Sequence, residues 1–239
     1  MRVEGLRAKA PRRFKVTTRS ARGHAVAPNH LDRCFKVETR DTVWGGDITY
    51  LPTGEGWLYL AVLMDLCSRR IVGWSLKERL TGELTLEALD RALEVRQPPP
   101  GLLHHSDRGC QYTAEDYQAR LRSRGFMVSM SRRGDCWDNA PLESFFATFK
   151  KDLMRGVTFA TRQQARAAVF NYIEGFYNTR RLHSALGYRP PIVVERLAAL
   201  SLGGVRSVGQ FLSGPAGPLP VPPVPVAATP GLGGARRPR

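Results

Sequence analysis

Val43-Trp44-Gly45-Gly46-Asp47-Ile48-Thr49-Tyr50 places a carboxylate inside a β-branched and aromatic run, the composition of a β-strand. Burying an unpaired carboxylate is costly. Asp47 therefore lies at a sheet surface, pairs with a base or binds a metal ion. Two later acids favour the third option. Asp107 closes the short apolar strand Leu102-Leu103-His104-His105-Ser106, and Glu143 falls in the first turn of a helix opening with Asp138-Asn139-Ala140-Pro141. With 21 acids in the chain, spacing alone carries little weight. The contexts carry more: strand interior, strand end, helix start. Three carboxylates brought together repel, so they share protons or bind hard divalent cations. Oxygen-only ligation favours Mg²⁺ or Mn²⁺ over zinc. Two such ions suit in-line attack on a phosphodiester.

Working outward from Asp47, the chain reads as three strands with tight links. Pro52-Thr53-Gly54-Glu55-Gly56 supplies turn residues. Trp57-Leu58-Tyr59-Leu60-Ala61-Val62-Leu63-Met64 is almost wholly apolar, as expected of a central strand covered on both faces. Residues 69–76 form a third strand. Asp65, beside Ser68 and Arg69, is read as a structural turn acid. A helix capped by Thr81 is expected to reach about Val95, stopped by Pro98-Pro99-Pro100-Gly101. The strand ending at Asp107 follows, then a helix from Thr113 and a fifth strand over residues 126–130. In the strand before Asp107, alternation predicts one of His104 and His105 buried and the other exposed. Asp138 reads as a helix cap with Pro141 near the first helical position. A last amphipathic helix is predicted over residues 161–178, with Ala165, Ala168, Val169, Tyr172, Ile173 and Phe176 on its apolar stripe.

The net charge of +15 is concentrated at the ends: +8 over residues 1–40, +3 over residues 41–202 and +4 over residues 203–239. Basic ends beside a nearly balanced middle suit a phosphate-backbone partner. The domain reading is a basic N-terminal arm (1–40), a catalytic core (41–200) and a disordered Pro/Gly-rich tail (201–239). Residues 214–239 hold 8 of the 17 prolines. The four cysteines include no CxxC pair, which argues against a structural zinc site and for reduced thiols. No apolar run approaches a membrane span and no signal sequence opens the chain. The expected location is the bacterial cytoplasm, associated with the nucleoid.

Four segments carry a resemblance: Trp44-Gly45-Gly46-Asp47-Ile48-Thr49-Tyr50, Leu66-Cys67-Ser68-Arg69-Arg70-Ile71-Val72-Gly73-Trp74, His105-Ser106-Asp107-Arg108-Gly109-Cys110-Gln111-Tyr112 and Asp138-Asn139-Ala140-Pro141-Leu142-Glu143-Ser144-Phe145-Phe146. They resemble the catalytic core of bacterial insertion-sequence transposases of the OrfB type, in the retroviral-integrase superfamily with its DDE triad. Tyr177-Asn178-Thr179-Arg180-Arg181-Leu182-His183-Ser184-Ala185-Leu186-Gly187-Tyr188 resembles their closing motif. The match covers about residues 12 to 196. It implies an α/β, RNase H-like fold, with a mixed five-stranded sheet flanked by helices. It places Asp47, Asp107 and Glu143 on the triad positions, as catalytic residues and as ligands of two Mg²⁺ (or Mn²⁺) ions. It also implies DNA strand cleavage and strand transfer on element ends and target DNA, by a homo-oligomer assembled on DNA. Family members commonly carry longer N-terminal DNA-binding modules, so an upstream-frame DNA-binding protein is a possible partner. The competing readings are an RNase H-like nuclease or resolvase, and a catalytically inactive DNA-binding remnant.

Five basic side chains are candidate DNA contacts. Lys150 lies seven residues after Glu143, about two helical turns along the same face. Arg132 and Arg133 occupy a polar loop before Glu143, and Arg180 and Arg181 follow the last predicted helix. For each the plain alternative is a solvated surface charge or, for the last two, a structural cap over the sheet.

Overall fold

The computed structural model describes residues 26–154 and 158–203. Most of the predicted arm and nearly all of the predicted tail lie outside these residues. The strands are β1 (Val43–Thr53), β2 (Gly56–Asp65), β3 (Ile71–Lys77), β4 (Leu103–Ser106) and β5 (Met127–Met130). The helices are α1 (Gly82–Arg96), α2 (Cys110–Thr113), α3 (Glu115–Ser123), α4 (Ala140–Met154), α5 (Arg162–Phe170) and α6 (Pro191–Gly203). They form one mixed sheet in the order β3-β2-β1-β4-β5. The first three strands are antiparallel neighbours, while β4 runs parallel to both β1 and β5. An antiparallel meander followed by two crossover strands, with helices on both faces, is the RNase H-like architecture expected from the sequence.

The central strand β2 shows why both faces are covered. Leu58, Leu60, Val62 and Met64 point into a core shared with Leu142, Phe145 and Phe149 of α4 and Val169 of α5. Leu63 points the other way, into a core with Leu89 and Leu93 of α1 and Leu121 of α3. Period-two alternation thus feeds two apolar layers from one strand, and burying both is the main favourable term in the fold. α1 approaches β3 closely at Gly73, where a Cβ would lie 2.3 Å from the Ala88 carbonyl oxygen. Any side chain there would push the helix off the sheet.

Two-sided cover also overturns the alternation expected at β4: His104 and His105 are both buried. His104 Nε2 meets the Tyr117 hydroxyl at 2.9 Å, and His105 lies between Ser129 Oγ (2.8 Å) and Ser131 Oγ (3.1 Å). Ser129 Oγ already accepts from the backbone N–H groups of His30 and Leu31. Its proton therefore goes to His105 Nδ1, leaving Nε2–H to donate to Ser131. Burial pulls the proton affinity of His104 down to about 3 and of His105 to about 4, so both are neutral imidazoles acting as structural polar links.

The predicted long helix over residues 161–178 begins with a complete capping box between Thr161 and Gln164. It changes pitch at Asn171, where residues 171–177 form a π-helical stretch. The Asn178 N–H bonds to the Ile173 carbonyl, an i→i+5 link. The wider turn rotates the stripe, so Tyr177 is buried while Phe176, placed on the apolar face by regular periodicity, is 40% exposed. Thr81 occupies the N-cap position of α1, but its side chain makes no capping bond.

Residues 28–37, counted with the arm on charge, sit on the core. Leu31 is buried, Phe35 and Val37 pack against the α4 layer, and Met130 N–H donates to the Pro28 carbonyl. α6 is tied to the sheet by a buried ionic chain. Arg96 bonds both Asp41 and Glu195, and Arg70 and Ser68 reach the same Glu195 carboxylate. Among the described residues no helix is long and apolar enough to cross a membrane.

Candidate active site

The parallel pairing of β1 with β4 sets the site. Its last registered pair is Gly46 with Ser106, so Asp47 and Asp107 follow as the next residues on neighbouring strands. α4 docks on β1, with Leu142 packed toward Gly45. Glu143 in its first turn is thereby brought within electrostatic reach of Asp47.

The three carboxylates differ in surroundings. Asp47 is half-buried and accepts from the Ile48 N–H at 2.7 Å. Burial, then the charge of Asp107, push its proton affinity up to about 8, with a smaller push from Glu143. The Ile48 N–H and the Lys150 charge oppose this rise. Asp107 is half-buried and accepts from the Gly109 N–H at 2.9 Å. Burial raises its proton affinity too, against that hydrogen bond. A Cβ on Gly109 would stand 2.9 Å from the Asp107 carboxylate, so glycine is what lets the backbone close on it. Glu143 is exposed at the rim, and its affinity is raised by partial desolvation. None of the three forms an ion pair among the described residues.

Among the described residues no three His, Cys, Asp or Glu side chains are drawn into a finished metal-ligand arrangement. The donor set nevertheless fits a hard divalent cation: oxygen only, half-buried in part, and without a protein counter-charge in contact. Of the nearby imidazoles, His104 Nε2 is engaged by Tyr117 and both ring nitrogens of His105 by Ser129 and Ser131.

Lys150 extends the same field. Its Nζ lies 4.9 Å from the centroid of the Tyr50 ring. Desolvation lowers its proton affinity and Asp47 partly restores it. Tyr50, 41% exposed, also meets Trp57 edge-to-face with ring centroids 5.1 Å apart. This exposed aromatic pair was not singled out from the sequence. Finding it required the β1–β2 register, which sets Leu51 against Leu58 and Pro52 against Trp57.

Asp65 is fully buried and accepts from Asp41 N–H, Ser68 N–H and Ser68 Oγ at 2.7, 2.8 and 3.0 Å. It is a structural turn acid, as its local partners suggested. Asp138 is not the helix cap that its position suggested. Its fully buried carboxylate accepts from Arg132 Nη2 and Arg132 N–H, from Arg33 Nε and from Asn29 Nδ2. These bonds, led by the Arg132 side chain, hold it well below the usual carboxylate range. Asp135 takes the capping role for the 3₁₀ turn Cys136–Asn139 instead, accepting from Trp137 N–H.

The five candidate DNA contacts fall into two groups. Arg132 is engaged with Asp138, Asp32 and Asp135, and Arg181 pairs with Asp152 at 2.8 Å. Arg133 and Arg180 are exposed, as is Lys150. Neither Arg133 nor Arg180 makes an ion pair among the described residues.

Residues 38–136 match the integrase core domain family, and residues 124–191 match a second integrase core domain family. The chain is 47% identical over 191 residues to the transposase InsF of insertion sequence IS3A from Escherichia coli K12, covering 80% of this chain and 66% of InsF. It is 46% identical over 186 residues to a 31 kDa protein of insertion element IS600 from Shigella sonnei, covering 78% of this chain and 68% of that protein. The chain thus spans about two thirds of the length of these relatives. Among solved structures, the HTLV-2 integrase catalytic core in complex with magnesium is similar with a TM-score of 0.49 and 17% identity, covering 64% of this chain and 95% of that one.

Proposed function

Because the chain belongs to the insertion-sequence transposases that carry an integrase core domain, we propose that it cleaves DNA strands at the ends of an insertion sequence and transfers them to target DNA. The observation that carries this reading is the strand register that aligns Asp47 with Asp107 just beyond the Gly46–Ser106 pair, with Glu143 in the first turn of the helix docked on β1. A group of carboxylates without a counter-charge suits hard divalent cations. Asp47, Asp107 and Glu143 would together hold the Mg²⁺ or Mn²⁺ ions, two in this reading. Bound there, such ions supply an activated hydroxyl nucleophile and stabilise the leaving oxygen of a phosphodiester.

The chain's own groups prepare that site. The N–H groups of Ile48 and Gly109 fix one oxygen each of Asp47 and Asp107, which limits their rotation. Burial and the neighbouring carboxylates raise the proton affinity of Asp47, so a cation bound there would compete with a proton. Lys150, held over Tyr50 beside Asp47, is positioned to take a DNA phosphate. Arg133 and Arg180, exposed and unpaired, are further contacts for the backbone. Arg132 and Arg181 reach DNA only from within their ion pairs.

The partner is DNA, as element ends and as target, bound by more than one copy of the chain. An upstream-frame DNA-binding protein is a further partner in this reading. The setting is the bacterial cytoplasm, with the nucleoid as its DNA. A plasmid-insertion assay with Mg²⁺ tests the reading, using this chain with its candidate upstream partner. Joined products in the parent protein, lost in Asp107→Asn, support it. Hydrolysed ends without joining indicate a nuclease of the same fold, and DNA binding with neither product indicates an inactive remnant.

A further inference from the structure

A cavity of about 350 Å³ opens between the first turns of α4 and residues 181–185. It is lined by Arg69, Arg181 and His183, with Ser144 from α4 and Ala185 opposite, and it contains no acidic side chain. Arg69 follows β2 in a left-handed backbone conformation (φ 61°) and donates from Nη2 to the Phe35 carbonyl at 3.0 Å. Its Nη1 is shut off from solvent and has no partner. The same holds for Nε2 of His183. Two unsatisfied polar nitrogens therefore belong to side chains lining one cavity, whereas buried polar atoms ordinarily find partners.

The charge balance points the same way. Arg69 forms no ion pair among the described residues; burial lowers its proton affinity, and Tyr177 and the Asp65 carboxylate offset this only in part. Leaving a desolvated guanidinium without a counter-charge is destabilising. Outside the described residues the only acidic side chain is Glu4. Arg181 adds a second positive charge, only partly offset by Asp152 at 2.8 Å. Burial, then Arg181 and Arg69, pull the proton affinity of His183 down to about 4.

We infer that this cavity is a phosphate-binding site, in which Arg69 and Arg181 hold one phosphate group and His183 borders it. Two guanidinium groups match the several oxygens of a tetrahedral anion, and charge-assisted bonds of this kind are the strong ones. The volume admits a phosphate together with the group it is attached to. α4 gives Glu143 to the carboxylate cluster and its neighbour Ser144 to this cavity, so the two lie on adjacent faces of one helix. The phosphate comes from a DNA backbone or from free phosphate. The first source rests on the function proposed above; the site itself does not.

The test uses the full chain without divalent cations, so its outcome is independent of strand transfer. Inorganic phosphate and a short duplex DNA without terminal phosphates are titrated separately, following the imidazole resonances of His183 and the melting temperature. Both ligands should shift His183, and phosphate should raise the melting temperature. Arg69→Met should weaken phosphate binding by about tenfold or more, as expected for losing a charge-assisted hydrogen bond, and Arg69→Lys should retain part of it. Ala185→Asp places a carboxylate on the wall without removing a native hydrogen bond. It should block phosphate even if Arg69→Met folds poorly. A response to phosphate alone supports the site with a free anion as ligand. An unmoved His183 with both ligands, or undiminished phosphate binding in both Arg69→Met and Ala185→Asp, overturns the inference.

Discussion

Asp47 of β1 and Asp107, the residue directly after β4, each lie one residue beyond the last paired position of these parallel strands, Gly46 with Ser106. Their alignment is a consequence of strand register, so it is as rigid as the sheet. Replacing either carboxylate by its amide changes volume little and leaves the register untouched. Asp47→Asn, Asp107→Asn and Glu143→Gln should each lower DNA cleavage by more than about 100-fold, since changes even to the outer shell of a metal site cost about 10–100-fold. Binding to DNA should persist or improve, because repulsion toward phosphate falls. Gel assays of cleavage and binding on the same samples check this, and near-normal cleavage by any one variant removes that residue from the mechanism.

The raised proton affinity of Asp47 links metal binding to pH. Its folded value of about 8 lies above its ordinary 3.8. Between these values the folded protein holds a proton that the unfolded chain releases. The Asp47 contribution therefore makes stability fall as pH rises through that window, with nothing lost below it. The melting temperature of Asp47→Asn should gain on that of the parent protein from about pH 4 to about pH 8 in metal-free buffer. Mg²⁺ binding at pH 7 should release a proton in the parent and none from this residue in the variant. Calorimetry in two buffers of different ionisation enthalpy measures it, and equal proton release in both proteins contradicts the assignment.

Asp138 fixes the start of the Glu143 helix. Its fully buried carboxylate collects bonds from Arg132, Arg33 and Asn29. Asp138→Ala should destabilise the fold by about 1–3 kcal/mol, the usual cost of leaving hydrogen-bond donors without their acceptor, read from denaturant midpoints. The exposed Glu115, paired only with Arg122, offers the contrast. Glu115→Ala should change stability by less than about 1 kcal/mol.

The strongly basic residues 1–25 are expected to add phosphate contacts without reading sequence. Since residues 28–37 are seated on the core, the informative truncation begins at Val26. If the removed part makes roughly four phosphate contacts, the slope of log K against log salt should flatten by about 3–4 units. Sequence preference should change less than affinity. An unchanged slope shifts the search to Lys150, Arg133 and Arg180.

The strands were legible because they depend on local pattern. β2 announced two buried faces through a nearly unbroken apolar run, and Asp47, Asp107 and Glu143 stood out as carboxylates in a strand interior, at a strand end and at a helix start. What stayed hidden depended on distant partners. His104 and His105 are both buried because helices cover both sheet faces, which alternation along one strand does not encode. Asp138 looked like a cap until Arg33 and Asn29, about a hundred residues earlier, arrived beside it. Phe176 lost its place to Tyr177 through a single change of helical pitch. Arg69 gave no signal, because its cavity is assembled from four separate parts of the chain.

The β1–β4 pairing also has a consequence for the order in which the molecule forms. The antiparallel meander of β1, β2 and β3 closes through short local turns and is available early in synthesis. The parallel pair must wait for β4, separated from β1 by a whole meander and α1, and the third carboxylate waits longer still for α4. Loop closure over such separations delays the later contacts. A chain caught partway therefore has a sheet but no complete cation site, and divalent ions cannot stabilise it by that route. Acquisition of high-affinity Mn²⁺ binding during refolding should lag the appearance of β-structure, making the ion a reporter of the last step of folding.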